Sequence, residues 1–374
     1  MGATVSGTDI ATGTPVSIEF GRTIQSVRPE LHAPSDLFIA PGFVDLQVNG
    51  FAGADFNNPS ISLQQAAVAV DAILATGVTR FLPTVITGSP AGMLASLHNL
   101  KQIKREFPAV AGFHVEGPNI GIDDGPRGAH PARWVRPPDR EEFLRWQHAA
   151  DGQIRLVTLS PHWADAADYI AALVRDGVVV SIGHTGATAD RIAAAVDSGA
   201  TLSTHVGNAA HATLRRHPNY LWDQLAEDRL SASFIVDGIH LGEAFLRVAL
   251  RAKGVGKTIL VTDAAAPAGA APGPYRLGEL DVELTSDDRV VLAGTSKLAG
   301  SSLRMNRAIA NVMRIGGVSL RDAVQMASVN PAKLIGLDSG LWPGAPADFV
   351  MFRIADPLQI VAVYLDGERV YSCN

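Results

Sequence analysis

The stretch Val178–His211, VVVSIGHTGATADRIAAAVDSGATLSTHVGNAAH, contains two strand patterns that each lead into a histidine. The first ends at His184, and after a helical pattern a second short strand, Thr201–Thr204, leads to His205. Because neighbouring parallel strands lie roughly 5 Å apart, two histidines one βα unit apart should meet at one edge of a sheet. Ligands bind at that edge. A lone histidine there is commonly structural, so the other strands decide.

The strand-then-helix pattern extends over residues 41–335. Its strand candidates are Phe43–Val48, Thr79–Val85, Val110–Val115, Arg155–Leu159, Val178–Ile182, Thr201–Thr204, Ala232–Val236 and Thr258–Val261. Eight strands alternating with helices are typical of a (β/α)8 TIM barrel. The competing doubly wound sheet lacks the GxGxxG signature after its first strand. The sequence therefore predicts an α/β barrel over 41–335.

The two ends of the chain have a different sequence pattern. Residues 1–40 and 336–374 read as short strands separated by turn residues, with Asp366-Gly367 as a hairpin signal. Neither end has enough strands to bury a core alone. We therefore expect the N- and C-terminal segments to build one small β-sandwich domain together, beside the barrel.

The composition excludes several classes of protein. The 374 residues are 47% hydrophobic and carry a net charge of −6, without a basic cluster, which argues against nucleic-acid binding. No apolar stretch reaches the roughly 18 residues of a membrane span, and the N-terminus does not resemble a signal peptide. The single cysteine, Cys373, suits a reducing compartment. A cytoplasmic protein is expected.

Polar or ionisable residues follow nearly every predicted strand. Glu116, His184 and His205 would together supply two imidazoles and a carboxylate, which leaves one coordination position for water, as in catalytic zinc sites. Iron, manganese and cobalt also suit this set. Asp263 follows the last strand and could take a proton from the water, although a turn aspartate is the alternative.

At these residues the chain resembles the N-acetylglucosamine-6-phosphate deacetylases of the amidohydrolase superfamily. The matching motifs are PGFVDLQVNG (41–50), FLPTVIT (81–87), HVEGPN (114–119), GHTGAT (183–188), THVGNAAH (204–211), DGIH (237–240), VTDAAAPAG (261–269), LAGSSLRM (298–305) and SVNPAKLIGL (328–337). These motifs are specific in combination, though weak singly, and they span nearly the whole chain.

The resemblance implies a role for each matching position. Glu116, His184 and His205 would be the metal ligands, and Asp263 the general base and then acid. His130, in the loop after the glutamate, would help to polarise the acetamide carbonyl. As a hypothesis, a metal-bound water attacks that carbonyl and Asp263 passes its proton to the leaving amine, which releases acetate and an amino sugar.

The resemblance also implies how the substrate and a second subunit contribute. Asn208, Ala209, Arg216 and His240 correspond to residues that hold the sugar phosphate in the family. In related enzymes the arginine and the last histidine come from the neighbouring subunit, so a homodimer is expected.

Two departures bear on the metal and the substrate. Many amidohydrolases carry HxH after the first strand and bind two metals, but Gln47 and Asn49 stand here, so one divalent ion per subunit is expected. The chain also reads Arg216-His217-Pro218-Asn219 where many relatives read REPG, which leaves the phosphate requirement open. The arginine-rich loop 121–138 could contact substrate or form a solvated rim.

Three alternatives to an N-acetylglucosamine 6-phosphate deacetylase remain open. The substrate could be another N-acetylated amino sugar, phosphorylated or plain. The barrel could hydrolyse a cyclic amide or imide, against which the missing HxH and the missing bridging lysine count. It could also be a silent barrel that only binds a sugar phosphate, but such a protein would not need Glu116, His184, His205 and Asp263 together.

Overall fold

The computed structural model describes residues 2–373. In that range the strands are β1 Ala3–Asp9, β2 Pro15–Phe20, β3 Ile24–Pro29, β4 Phe38–Pro41, β5 Phe43–Val48, β6 Gly50–Phe51, β7 Ala54–Asp55, β8 Val78–Ile86, β9 Phe113–Glu116, β10 Ile154–Leu159, β11 Val179–Ile182, β12 Leu202–Ser203, β13 Ser231–Phe234, β14 Thr258–Leu260, β15 Gly273–Leu277, β16 Leu280–Leu284, β17 Val290–Leu292, β18 Phe349–Arg353, β19 Gln359–Leu365 and β20 Glu368–Ser372.

The helices mostly fall between these strands. They are α1 Leu63–Leu74, α2 Pro90–Glu106, α3 Asp124–Arg127, α4 Arg140–Ala149, α5 Ala166–Arg175, α6 Ala189–Asp197, α7 Tyr220–Ala226, α8 Glu243–Lys253, α9 Met305–Gly316, α10 Leu320–Ala327 and α11 Val329–Leu334, with 3-10 turns at Ala132–Trp134 and Val255–Lys257. None of the helices within residues 2–373 is both long and apolar enough to cross a membrane.

Local sequence signals start several of these helices. Ser62 caps α1 because its side chain accepts a hydrogen bond from the backbone N–H of Gln65. The side chain of Gln65 in turn accepts the backbone N–H of Ser62, which completes a capping box. Asn219 caps α7 through its side-chain oxygen. The buried face of α1 recurs at helical spacing, from Ala66 to Ile73, so burial against the sheet holds the helix in place.

The central sheet is the predicted barrel. Its strands run in the order β5-β8-β9-β10-β11-β12-β13-β14, and every recorded pairing between them is parallel. A parallel bridge between Val48 and Ala264 brings the first and last strands together. The backbone N–H of Asn49 donates to Ala264 at 2.7 Å across this seam. The predicted (β/α)8 TIM barrel is confirmed, and its carboxyl edge carries the ends of all eight strands.

The terminal segments form the predicted sandwich. Their sheet has the order β20-β19-β18-β4-β1-β2-β3, so strands from both ends of the chain lie side by side. It encloses an apolar cluster separate from that of the barrel, in which the rings of Phe20 and Phe349 pack edge to face at 5.0 Å. The residue boundaries proposed for the two domains, 1–40 with 336–374 and 41–335, stay a prediction.

A small antiparallel sheet lies outside both predicted units. Strands β15, β16 and β17 pair over residues 273–292, and their apolar side chains pack on Ile86 and Ala265 at the barrel's carboxyl edge. This sheet was not among the predicted elements. Its signal was available, because residues 281–284 alternate acidic and apolar side chains as Asp-Val-Glu-Leu.

Candidate metal centre and active site

Four side chains predicted to carry chemistry meet at the carboxyl edge of the barrel. Glu116 is the last residue of β9, and His184 and His205 each follow the end of their strand by two residues. Asp263 comes three residues after the end of β14. All four are buried. The strand ends therefore deliver these groups to one place, as the order of the motifs predicted.

Three of these residues have a backbone that L-residues seldom adopt. The φ angle is 50° at His184, 29° at His205 and 50° at Asp263. Left-handed conformations of non-glycine residues cost free energy and cluster at functional sites. Here they turn the chain sharply just after each strand.

Glu116 stands at the centre of the histidines. Its Oε1 lies 3.2 Å from Nε2 of His184 and 3.0 Å from Nε2 of His205. Nδ1 of His184 lies 2.9 Å from the carbonyl oxygen of Pro126, which can only accept, so Nδ1 carries a proton and Nε2 is the nitrogen that faces Glu116. Burial alone would raise the pKa of Glu116, but where protons lie on Nε2 of both His184 and His205 the two charged rings hold that pKa well below its usual range.

This donor set fits a divalent cation. Nε2 of a neutral His184 and an ionised carboxylate oxygen repel each other unless a proton or a cation lies between them, and this imidazole–carboxylate combination is one that zinc-like ions bind. The carbonyl bond to His184 Nδ1 is the kind of outer contact that orients metal-bound histidines.

His130 lies on the other side of Glu116. Its Nε2 is 3.8 Å from Oε2 of Glu116, and ligand atoms of Glu116, His130 and His184 all lie within 4.8 Å of one another. By distance, His130 is thus a competitor of His205 for a cation. Its Nδ1 accepts the backbone N–H of Thr87 at 3.4 Å, which leaves the proton on Nε2. Burial lowers the pKa of His130 to about 3, so the ring is neutral and can donate.

Two amides on β5 and just after it hold Asp263. Its Oδ1 accepts hydrogen bonds from Nε2 of Gln47 at 3.0 Å and from Nδ2 of Asn49 at 2.7 Å. Gln47 also donates to Oε1 of Glu116 at 2.8 Å. Burial and the charge of Glu116 raise the pKa of Asp263 to about 6.

From the sequence, Gln47 and Asn49 were interpreted only as replacements of metal ligands, and their contacts with Asp263 were not predicted. Their spacing offered the signal, because Asp45 and Gln47 on β5 and Asn49 just after it are each two residues apart in extended chain and therefore face the same side.

A cavity of about 250 Å³ opens onto this cluster. Its lining contains all the predicted ligands, His130 and Asp263, together with three of the four predicted substrate residues, Asn208, Ala209 and His240.

His240 reaches the cavity of its own chain, and its Nδ1 lies 2.5 Å from Oδ2 of Asp237. The fourth, Arg216, is exposed on the loop before α7 and is not among the residues that line this cavity in the described part of the chain.

Comparison with known proteins places the chain in a family. Residues 38–370 match the model of the amidohydrolase family. A Bos taurus N-acetylglucosamine-6-phosphate deacetylase is 36% identical over 89% of this chain and 83% of its own. A Shewanella N-acetylgalactosamine-6-phosphate deacetylase is 30% identical over 93% of this chain and 86% of its own.

A solved structure agrees with this assignment over the whole chain. It is the N-acetyl-D-glucosamine-6-phosphate deacetylase of Mycobacterium smegmatis, an aspartate-to-alanine variant in complex with N-acetyl-D-glucosamine-6-phosphate. It superposes with a TM-score of 0.91 at 32% identity and covers 99% of this chain and 100% of its own. The resemblance stated from the motifs is therefore confirmed: the chain is a hydrolase of the amidohydrolase superfamily and belongs to its N-acetylglucosamine-6-phosphate deacetylase family.

Proposed function

We propose that this protein hydrolyses the acetamide of N-acetylglucosamine 6-phosphate to glucosamine 6-phosphate and acetate. The observation that carries the proposal is the convergence of His184 Nε2 and His205 Nε2 on one oxygen of Glu116, beside Asp263, in the lining of a cavity of about 250 Å³. The similarity to N-acetylglucosamine-6-phosphate deacetylases of Bos taurus and Mycobacterium smegmatis supports the same reaction.

We assign Glu116, His184 and His205 as the ligands of one divalent ion per subunit. Zinc is the metal we expect, and iron, manganese and cobalt also suit the donors. When bound, such an ion supplies Lewis acidity for a carbonyl oxygen and lowers the pKa of water. His205 is preferred to His130 because its Nε2 lies 3.0 Å from Glu116, whereas that of His130 lies 3.8 Å away.

His130 would then act on the substrate carbonyl. Its neutral ring carries the proton on Nε2, since Nδ1 accepts the Thr87 backbone N–H. A hydrogen bond from Nε2 to the acetamide oxygen stabilises the negative charge that grows there as water adds to the carbonyl carbon.

Asp263 would move the proton. The amides of Gln47 and Asn49 occupy its Oδ1, whereas Oδ2 accepts no hydrogen bond from any residue in the range 2–373. This free oxygen takes a proton from the attacking water as the C–O bond forms. It then gives the proton to the sugar nitrogen as the C–N bond breaks, so that the products are acetate and a free amine.

The sugar phosphate would lie against the polar wall of the cavity. Asn208, Ala209 and His240 line that wall, and the side-chain nitrogen of Asn208 is buried without a partner among the described residues. Arg216 is exposed and is not among the described residues that line the cavity of its own chain. Since the guanidinium group suits bidentate binding of phosphate, we infer that Arg216 reaches the site of a neighbouring subunit. We therefore propose a homodimer in which each Arg216 serves the partner's site.

A second substrate is favoured by one comparison. The Shewanella relative is named for the epimer N-acetylgalactosamine 6-phosphate, and its identity to this chain is only slightly lower than that of the glucosamine enzymes. The two sugars differ at one hydroxyl, so the ratio of their rates decides between them.

The experiment that tests the proposal is acetate release from N-acetylglucosamine 6-phosphate on protein of measured metal content. Plain N-acetylglucosamine and N-acetylgalactosamine 6-phosphate are run alongside. We expect turnover of the phosphorylated glucosamine compound with near one metal per chain. Absence of turnover on all three by metal-loaded protein would contradict the proposal. The predicted cytoplasmic location stays a prediction.

A further inference from the structure

A larger cavity lies beside the catalytic one, with a thin apolar wall between them. It measures about 600 Å³, against about 250 Å³ for the catalytic cavity. Ile86 lines both cavities. Leu277 and Leu280 line the catalytic side, whereas Gly278 and Glu279, the turn between them, line the larger side cavity. We call Ile86, Leu277 and Leu280 the partition.

The partition stands next to the reacting groups. Ile86 ends β8 and pairs directly with Glu116 on the neighbouring strand β9. Adjacent parallel strands lie about 5 Å apart, so Ile86 flanks the carboxylate at the centre of the site. The next residue, Thr87, fixes His130 through its backbone N–H and its hydroxyl. Ile86 is therefore paired with Glu116 on one side and precedes the residue that fixes His130.

The partition is fixed in position rather than loose. Ile86 is 7% exposed and Leu277 is 3% exposed, and both belong to the apolar cluster beneath the three-stranded sheet β15–β17. The turn is tied down by Asp55, whose Oδ2 accepts the backbone N–H of Gly278 at 2.7 Å. The backbone N–H of Ile86 itself donates to Asn57 at 2.8 Å.

The two walls of the catalytic cavity differ in chemistry. The wall with Asn208 and His240 is polar and suits hydroxyls and phosphate, whereas the partition offers only carbon atoms. A bound acetamide with its oxygen at His130 and its nitrogen near Asp263 has one substituent left, the methyl group. Apolar lining favours that group and gives no partner to a hydroxyl.

We propose that the partition is the acyl-binding wall and that it sets the length of N-acyl group the enzyme accepts. This inference rests on the proposed deacetylase function. An acetyl group ends at the wall, and a longer acyl chain meets Ile86 and the hairpin turn. The space such a chain would need lies directly behind, in the side cavity. Truncation of the partition therefore connects the two cavities and creates a channel for a longer chain.

The test compares N-acetyl-, N-butanoyl- and N-hexanoylglucosamine 6-phosphate as substrates. For the wild-type protein we expect kcat/KM to fall steeply with length, since one methylene in a shaped pocket is worth roughly 10- to 200-fold. In Ile86→Ala we expect the hexanoyl-to-acetyl ratio of kcat/KM to rise by at least about tenfold. Leu277→Ala should shift the ratio in the same direction.

Met93→Ala is the matched control. Met93 lines the side cavity but not the catalytic one, so its truncation enlarges the space without breaching the wall. We expect its acyl-length preference to equal that of the wild type. Ile86→Val, a smaller truncation, serves if Ile86→Ala does not fold, and it should raise the butanoyl-to-acetyl ratio.

The outcomes separate this inference from the function on which it rests. If the wild type releases acetate but folded Ile86→Ala, Leu277→Ala and Ile86→Val keep its length preference, the partition has no role in specificity. A wild type that already accepts the hexanoyl compound as well as the acetyl compound also overturns the proposal. If metal-loaded wild type hydrolyses none of the three, the deacetylase function itself fails.

Discussion

Gln47 and Glu116 are joined by a buried hydrogen bond in which Nε2 of the amide lies 2.8 Å from Oε1 of the carboxylate. The same nitrogen also donates to Asp263 at 3.0 Å. Both of its protons are therefore donated to carboxylates. Glu116 is the carboxylate assigned to bind the metal, and Asp263 is the one assigned to transfer the proton. A neutral amide here keeps two buried anions apart and fixes the direction of each.

Substitution of Gln47 by methionine should weaken metal binding. Methionine has a similar volume but cannot donate, so Glu116 loses a bond that orients it. Loss of such an outer contact typically costs about 10- to 100-fold in metal affinity, and we expect a loss in that range. Competition titration against a chelator measures it, with Gln102→Met on α2 as the control. Unchanged affinity in folded Gln47→Met would show that the contact does not support the metal.

Substitution of Asp263 by asparagine should remove proton transfer and leave the site assembled. The new Oδ1 can still accept from Gln47 and Asn49, but the other atom can no longer take a proton. We expect kcat for acetate release to fall by roughly 10²- to 10⁴-fold, with metal content unchanged.

Asp45→Asn is the matched control for this variant. It makes the same change at a buried carboxylate of β5 that does not line the catalytic cavity. Its turnover should stay within about tenfold of the wild type. If Asp263→Asn keeps more than a tenth of the wild-type turnover, Asp263 is not the base.

The barrel, and the place where its site residues meet, could be predicted because each strand has a recognisable local sequence pattern. The run Val178–Ile182 and the motif after it encode both a strand and the residue at its end, and the parallel barrel then brings those ends together. The meeting of Glu116, His184 and His205 at one edge of the sheet could be predicted from strand order, and their assignment as metal ligands stays a proposal. No long-range information was needed.

The contacts of Gln47 and Leu277, which the sequence did not reveal, depend on pairs distant along the chain. Gln47 lies 216 residues from Asp263, and their bond exists only because the barrel closes between β5 and β14. The packing of Leu277 on Ile86 likewise requires the hairpin β15–β16 to fold back over the barrel mouth. Periodicity reports which face is buried but not what lies against it.

Asp55 should make the stability of the protein depend on pH between about pH 4 and about pH 6. Burial raises the pKa of this carboxyl from 3.8 to about 6 in the folded protein. As the pH falls through this range, the folded state takes up a proton before the unfolded state does. Proton uptake by the folded state stabilises it, so the free energy of unfolding should rise as the pH falls.

The comparison that isolates this effect is wild type against Asp55→Asn, which cannot ionise. Urea unfolding at several pH values gives the difference in unfolding free energy between the two proteins. We expect that difference to move in favour of the wild type as the pH falls from about 6 to about 4 and to be constant above about pH 7. A difference that does not vary with pH would mean that Asp55 titrates alike in both states.

The position of Arg216 outside its own cavity leads to a test of the homodimer. Arg216→Ala should raise KM for the phosphorylated sugar and leave the KM for plain N-acetylglucosamine unchanged, because the lost contact is to phosphate.

Co-expression of Arg216→Ala with Asp263→Asn then shows whether each arginine serves its own site or that of its partner. If each arginine serves the partner, a mixed dimer contains one site with both residues intact. Random pairing would restore roughly a quarter of wild-type activity. If the arginine serves its own site, every site in the mixture lacks one residue, and the activity per chain is about half that of the Arg216→Ala protein alone.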